Sequence, residues 1–138
     1  DRMEMILIRM RQYASEMLEA AHISFTIEMD EQCNSLSLPI EKRKDFYLIF
    51  KEAINNLAKY SQAGEAHIKI NCSGNLLILA ISDNGVGFSS LSVDEGNGAT
   101  GNGLINMQAR AKLLNGQVKI TSKQGEGTHV DLRFPLSP

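Results

Sequence analysis

Residues 83–103 hold six glycines (Gly85, Gly87, Gly96, Gly98, Gly101 and Gly103) in a mainly polar stretch. Such density disfavours helix and strand alike, because each glycine brings backbone entropy that ordering must remove. The stretch reads as a long connection, and connections of this length inside a compact domain are binding loops or lids. The rest of the chain must build its core around it. With 138 residues, 43% of them hydrophobic, there is material for one domain that buries roughly two-thirds of its unfolded surface.

The flanking segments carry clear periods. Apolar residues at Met3, Ile6, Met10, Tyr13, Met17 and Ala20 make a heptad-like helical stripe, suited either to packing on the domain's own core or to the tail of a dimerising coiled coil. Residues 23–29 alternate as a half-buried strand. Asn34 to Pro39 is a loop in which Ser37 or a neighbour is placed to cap the next helix, with Pro39 in its first turn. From Ile40 to Ala58, residues Phe46, Ile49, Phe50, Ala53, Ile54 and Leu57 form one apolar face. Strands His67–Cys72 and Leu76–Ser82 flank a Ser73-Gly74-Asn75 turn. Leu104 to Leu114 reads as a helix stopped by Asn115-Gly116. Val118–Ser122 and His129–Phe134 are strands around Gln124–Gly127. Strands joined mostly by hairpins, with helices between, imply a mixed sheet with helices on one face.

Composition excludes several functions. Fourteen basic and sixteen acidic residues leave a net charge of −2, so no general field draws nucleic acid or anionic membrane. No apolar run reaches the ~18 residues of a membrane span, and no signal peptide opens the chain. Cys33 and Cys72 stand far apart without a partner motif, which argues against a disulfide framework or zinc site and for reduced thiols in a cytoplasmic setting. A start at Asp1 rather than Met suggests excision from a longer chain.

Four segments carry candidate chemistry. Glu52 and Asn56 lie four apart on one helix face, with Lys59 a turn further on. A carboxylate beside an amide can hold hydrated magnesium through oxygen, although the pair is also an ordinary solvated face. Strand Ile78–Ser82 runs into Asp83-Asn84-Gly85-Val86-Gly87. There a carboxylate at a buried strand end can accept from an exocyclic amine, and glycines let a flat ring approach; the same residues also spell a simple turn. Gly101-Asn102-Gly103-Leu104 opens a helix, whose first N–H groups suit phosphate or merely need a cap. Gly125-Glu126-Gly127-Thr128 enters the last strand and brings a hydroxyl, or is only a hairpin turn. Neither a Rossmann fingerprint nor a lysine-bearing phosphate loop is present.

In order and spacing, these four segments closely resemble the ATP-binding boxes of the GHKL superfamily of gyrase, MutL-type repair ATPases, anti-sigma-factor kinases and sensor histidine kinases. Residues Phe50 to Ser61 resemble the asparagine box of sensor histidine kinases. Gly101 to Ala111 resembles the branch paired with LuxR-type response regulators. The resemblance covers about residues 23–136. It implies an α/β two-layer sandwich: a mixed, mostly antiparallel sheet under about three helices, preceded by an N-terminal helix. Residues 1–22 would be the end of a dimerisation helix or a linker, and 23–138 the ATP-binding catalytic domain, with a lid at about Phe88–Thr100.

Carried over by position, the resemblance gives Asp83 the adenine amine, while Gly85 and Gly87 shape the base pocket. Thr128 supports the base. Asn56 coordinates magnesium, and Glu52 polarises its water or the attacking group. Lys59, Gly101, Gly103 and Leu104 face the phosphates. The implied reaction moves the γ-phosphoryl of Mg-ATP to a histidine on a separate dimerisation helix of a parent sensor kinase. That parent would be a membrane-anchored homodimer signalling to a response regulator, with this domain cytoplasmic and touching neither nucleic acid nor membrane. A serine-directed anti-sigma-factor kinase or another GHKL ATPase module is the alternative. Two features depart from the pattern. Tyr60 stands where many relatives have histidine, and His22, His67 and His129 lie at or in strands, unlike a phosphoacceptor.

Overall fold

The computed structural model describes residues 2–87 and 99–137. In chain order these are helix α1 (Met3–Ala20), strand β1 (Ser24–Met29), a short 3-10 turn (Glu31–Cys33), helix α2 (Ile40–Tyr60), strands β2 (Glu65–Ser73) and β3 (Leu76–Asp83), helix α3 (Ala99–Leu113), and strands β4 (Gln117–Lys123) and β5 (Gly127–Pro135). The strands form one sheet in the order β1-β2-β3-β5-β4. Among the described residues, only β1 and β2 pair in parallel. A parallel pair needs a crossover, and α2 supplies it. The expected mixed, mostly antiparallel sheet layered with helices is therefore what forms. The expected lid falls on residues 88–98, outside the described residues, except for its last two, which begin α3.

The period-two strands give the sheet one apolar face. Register sets Ile27, Ile68, Ile81 and Val130 in one row, and Met29, Ile70, Leu79 and Leu132 in the next. The face of α2 legible in the sequence is the one buried here: Phe46, Ile49, Phe50, Ala53, Ile54 and Leu57. Phe46 meets Phe134 of β5 with ring centroids 5.7 Å apart, and burying each such ring is worth roughly 1.5–3 kcal/mol.

On α1 the buried residues are Met3, Ile6, Met10, Ala14 and Leu18. They pack into the same core as α2, while Tyr13 and Met17 are half-buried and Ala20 is exposed. This face drifts as a straight helix does, rather than holding the strict 3.5-residue repeat of a coiled-coil seam. Ser37 does not cap α2. The N-cap is Pro39, with no side-chain bond, and its carbonyl takes the first N–H groups, from Lys42 and Arg43. Ser37 instead bridges to Arg2.

The cysteines are not free thiols. Cys33 and Cys72, 39 residues apart, form a disulfide. The parallel pairing sets Met29 opposite Ile70, and the Asp30 N–H donates to the Ile70 carbonyl at 2.9 Å. The 3-10 turn then carries Cys33 back over β2. Spacing along the chain could not reveal this, and the inference of a cytoplasmic setting from reduced thiols loses its basis.

Candidate functional site

Asp83 continues the core-facing alternation of Leu77, Leu79 and Ile81 on β3, so the sheet's apolar face ends on a carboxylate. Its Oδ1 accepts from the Gly85 N–H at 2.8 Å. The turn read from the sequence is therefore what this segment forms. Burial pushes the Asp83 carboxyl above its ordinary range, partly offset by backbone N–H groups of Gly85 and Thr128. Asn84 ties the strand end to the start of β2, its Oδ1 accepting from the N–H groups of Gly64 and Glu65 at 2.9 and 3.0 Å.

Two glycines are needed here for a reason other than ligand approach. A Cβ on Gly85 would strike the Ser61 carbonyl, and one on Gly87, whose φ is +64°, would strike the Lys123 carbonyl. The turn is clamped between the end of α2 and the β4–β5 hairpin: Val86 N–H donates to the Ser61 carbonyl at 2.7 Å, and Gly125 N–H to the Val86 carbonyl at 2.5 Å. This fixes Asp83 relative to α2.

Between α2, α3 and the sheet lies a pocket of about 650 Å³, counting its open mouth. Asp83, Asn56, Gly87, Leu104 and Thr128 all line it. Ala53, Leu57, Ile81, Met107, Ile120 and Val130 give it largely apolar walls, and Tyr60 and Ser61 complete it. A slot with apolar walls and a carboxylate at one end suits a flat heterocycle bearing an amine. The sequence reading missed Met107, Ile120 and Ser61. The first two alternate toward the core as strand and helix periods require, but nothing local says that their elements meet over Asp83.

At the α2–α3 seam, a Cβ built on Gly103 would lie 2.7 Å from Asn56 Nδ2, 3.4 Å from Asn56 Oδ1 and 3.4 Å from Glu52 Cδ. Glu52, Asn56 and Gly103 are therefore one cluster, and Glu52 also lines a neighbouring polar cleft with Lys51, Asn106 and Arg110. Asn56 Oδ1 is buried and has no hydrogen-bond partner among the described residues. Leaving such an oxygen unpaired costs roughly 1–3 kcal/mol. A hard oxygen donor beside a carboxylate, held in reserve in this way, fits magnesium.

Not every expected residue converges. Lys59 is exposed near the end of α2 and is not on the pocket wall. Helix α3 begins at Ala99 rather than Leu104, since nothing from Ala99 onward breaks a helix and glycine only weakens one. Gly101 therefore lies in the first turn, where N–H groups lack helical partners. Gly103 and Leu104 follow it, and Leu104 gives its side chain to the pocket wall. Of the histidines, His22 sits in the turn after α1, His67 on β2 and His129 on β5.

Comparison with known proteins agrees with this fold. The model of the histidine kinase-, DNA gyrase B- and HSP90-like ATPase family matches residues 41–138. The chain is 37% identical over 91 residues to the oxygen sensor histidine kinase NreB of Staphylococcus carnosus, covering 66% of this chain and 25% of that protein. To the sensor histidine kinase LiaS of Bacillus subtilis it is 30% identical over 112 residues, covering 81% of this chain and 29% of the relative. It thus spans about a quarter of the length of the curated relatives it matches. Among solved structures, the Acinetobacter baumannii histidine kinase AdeS superposes with a TM-score of 0.76 at 17% identity, covering 99% of this chain and 66% of that one. The histidine kinase domain of the Erythrobacter litoralis EL346 blue-light activated kinase gives 0.74 at 20% identity, covering 96% and 61%. Both share the fold. The chain belongs to the family of histidine kinase-, DNA gyrase B- and HSP90-like ATPases, and it is similar in sequence to sensor histidine kinases.

Proposed function

We propose that residues 23–138 bind Mg-ATP in the pocket between α2, α3 and the sheet, and that the parent protein uses it to phosphorylate a histidine. The observation that carries this reading is Asp83, a half-buried carboxylate closing an otherwise apolar slot. It would accept from the adenine amine, with Thr128 beside the base and Gly85 and Gly87 holding the turn. Asn56 Oδ1 would be the protein's ligand to magnesium, with Glu52 next to it. When bound, magnesium neutralises phosphate charge as the transition state develops. The first turn of α3, including Gly101, would offer N–H groups to the phosphates, and Gly103 leaves them room. Lys59 reaches that region only by extending its stem from the exposed end of α2.

In the reaction, a neutral histidine nitrogen attacks the γ-phosphorus, the bond to the bridging β–γ oxygen breaks, and ADP leaves. Placing the nucleophile in line supplies much of the rate. None of the three histidines here lies on a helix, so the acceptor belongs to a dimerisation helix elsewhere in the parent. Residues 1–22 would be the end of that helix or its linker. The parent's homodimerisation, its response regulator, its membrane anchoring and the cytoplasmic placement of this domain rest on the resemblance. Among the described residues, no helix is long and apolar enough to cross a membrane. The similarity to sensor kinases favours histidine over serine as acceptor.

Incubation with γ-labelled ATP and magnesium should leave this chain unlabelled. Adding the parent's dimerisation helices should place an acid-labile, base-stable label on them. Acid-stable serine label on a partner, or equal affinity for ATP and GTP, would overturn the reading.

A further inference from the structure

The seam between α2 and α3 has a second rung. At the first, Gly103 faces Asn56 and Glu52. Seven residues before Glu52 on α2 stands Asp45, and seven after Gly103 on α3 stands Arg110. Seven residues make about two helical turns, so each returns to the face of its partner, and the helices run antiparallel along this seam. Here an ion pair closes the rung: Arg110 Nη1 donates to Asp45 Oδ1 at 3.2 Å. Leu48 and Met107, between the rungs, line one polar cleft with Glu52 and Arg110. The Asp45 side chain is only 15% exposed, so salt screens this pair less than one at the surface. The apolar anchors of α3 are Met107, Ala111 and Leu114. Apolar burial has no preferred direction and tolerates sliding. A charged hydrogen bond is directional and does not.

We propose that Asp45 and Arg110 are positioning residues that fix where α3 sits along α2, and so set the spacing between the first turn of α3 and Asn56. The inference rests on the nucleotide reading of the pocket. Asp45 and Asn56 belong to one helix, and Gly101 and Arg110 to the other. A link at one end of the seam therefore sets the spacing at the other. In the nucleotide reading, Asn56 would hold the metal and the first turn of α3 the phosphates, so the metal-bound phosphates span that spacing. Asp83 and Thr128, which would hold the base, lie on β3 and β5 and do not move with α3. Without metal, nothing ties the phosphates to Asn56, and the spacing matters less.

The test measures, by calorimetry, how much magnesium improves ADP affinity. Asp45→Ala and Arg110→Ala should each cut that gain roughly three- to tenfold, the net worth of one hydrogen bond, and leave metal-free affinity unchanged. The double variant should be no worse than either single one, since the two side chains act as one unit. Arg110→Lys shortens the donor and should lose part of the gain; adding Asp45→Glu, which lengthens the acceptor, should recover it. NMR of the nucleotide-free chain should find the Gly103 and Leu104 amide signals shifted in Asp45→Ala. Asp45→Asn, which keeps the shape and removes the charge, replaces the alanine variant if that one melts early. A merely structural pair would weaken binding alike with and without magnesium. Such equal losses, an unchanged gain, or additive losses in the double variant overturn the proposal. If the unmodified chain gains affinity from magnesium and the variants keep that gain, this inference alone fails. If it binds no ADP, or gains nothing from magnesium, the pocket reading fails and takes this inference with it.

Discussion

Asp83 occupies a strand position that the three preceding core-facing residues fill with aliphatic side chains. Because burial raises its pKa on folding, the folded chain holds this proton more tightly than the unfolded one. The stabilisation is present at low pH and is lost as pH rises through the folded pKa. Ionising Asp83 in the folded chain is thus a cost to the fold. Asp83→Asn should raise the melting temperature at pH 7 while weakening ADP tenfold or more, about 1.4 kcal/mol. The stability of the unmodified chain relative to that variant should fall as pH rises from the acid side, which melts across a pH series will read. Asn56 poses the same conflict. Asn56→Leu removes the unpaired buried oxygen and should stabilise the fold by about 1 kcal/mol. Calorimetry should then find metal-free nucleotide binding little changed and the magnesium-dependent part gone.

Helices α2 and α3 meet where a side chain is missing. Alanine for glycine inside a helix ordinarily gains about 1 kcal/mol, but at Gly103 the new Cβ would press on the Asn56 amide and approach Glu52. The amide is the free end of a side chain and can yield, so Gly103→Ala should melt no lower than the unmodified chain. Its affinity for Mg-ATP should drop at least tenfold; unaltered affinity would remove Gly103 from the site. Among the helices, α2 was fully legible because its apolar face coincides with its buried one. On α1 the heptad reading placed Tyr13 and Met17 on the stripe, whereas the core takes Ala14 and Leu18. A five-turn pattern fits periods of 3.5 and 3.6 almost equally, and only the surface it packs on chooses between them.

The whole molecule is closed by a covalent link between the start of the α2 crossover and the hairpin sheet. Cross-linking residues 39 apart restricts the unfolded chain by roughly 2–4 kcal/mol. The chain purified without reductant should titrate no free thiol in denaturant, and dithiothreitol should lower its urea midpoint; two titrating thiols would contradict the pairing. Local pattern was enough to place the strands, the α2 face, the carboxylate at the end of β3 and the glycine-flanked boxes, because side-chain period and turn chemistry act between near neighbours. It argued wrongly against the Cys33–Cys72 bond, and it did not show the Ser61 clamp on the Asp83 turn, the contacts that require Gly85 and Gly87, or the Ser122 contact with Thr128. Each of these depends on which distant segments lie side by side. That is fixed by the parallel β1–β2 pairing and the β5-between-β3-and-β4 order of the sheet, which the burial of one shared apolar face selects and no single segment encodes.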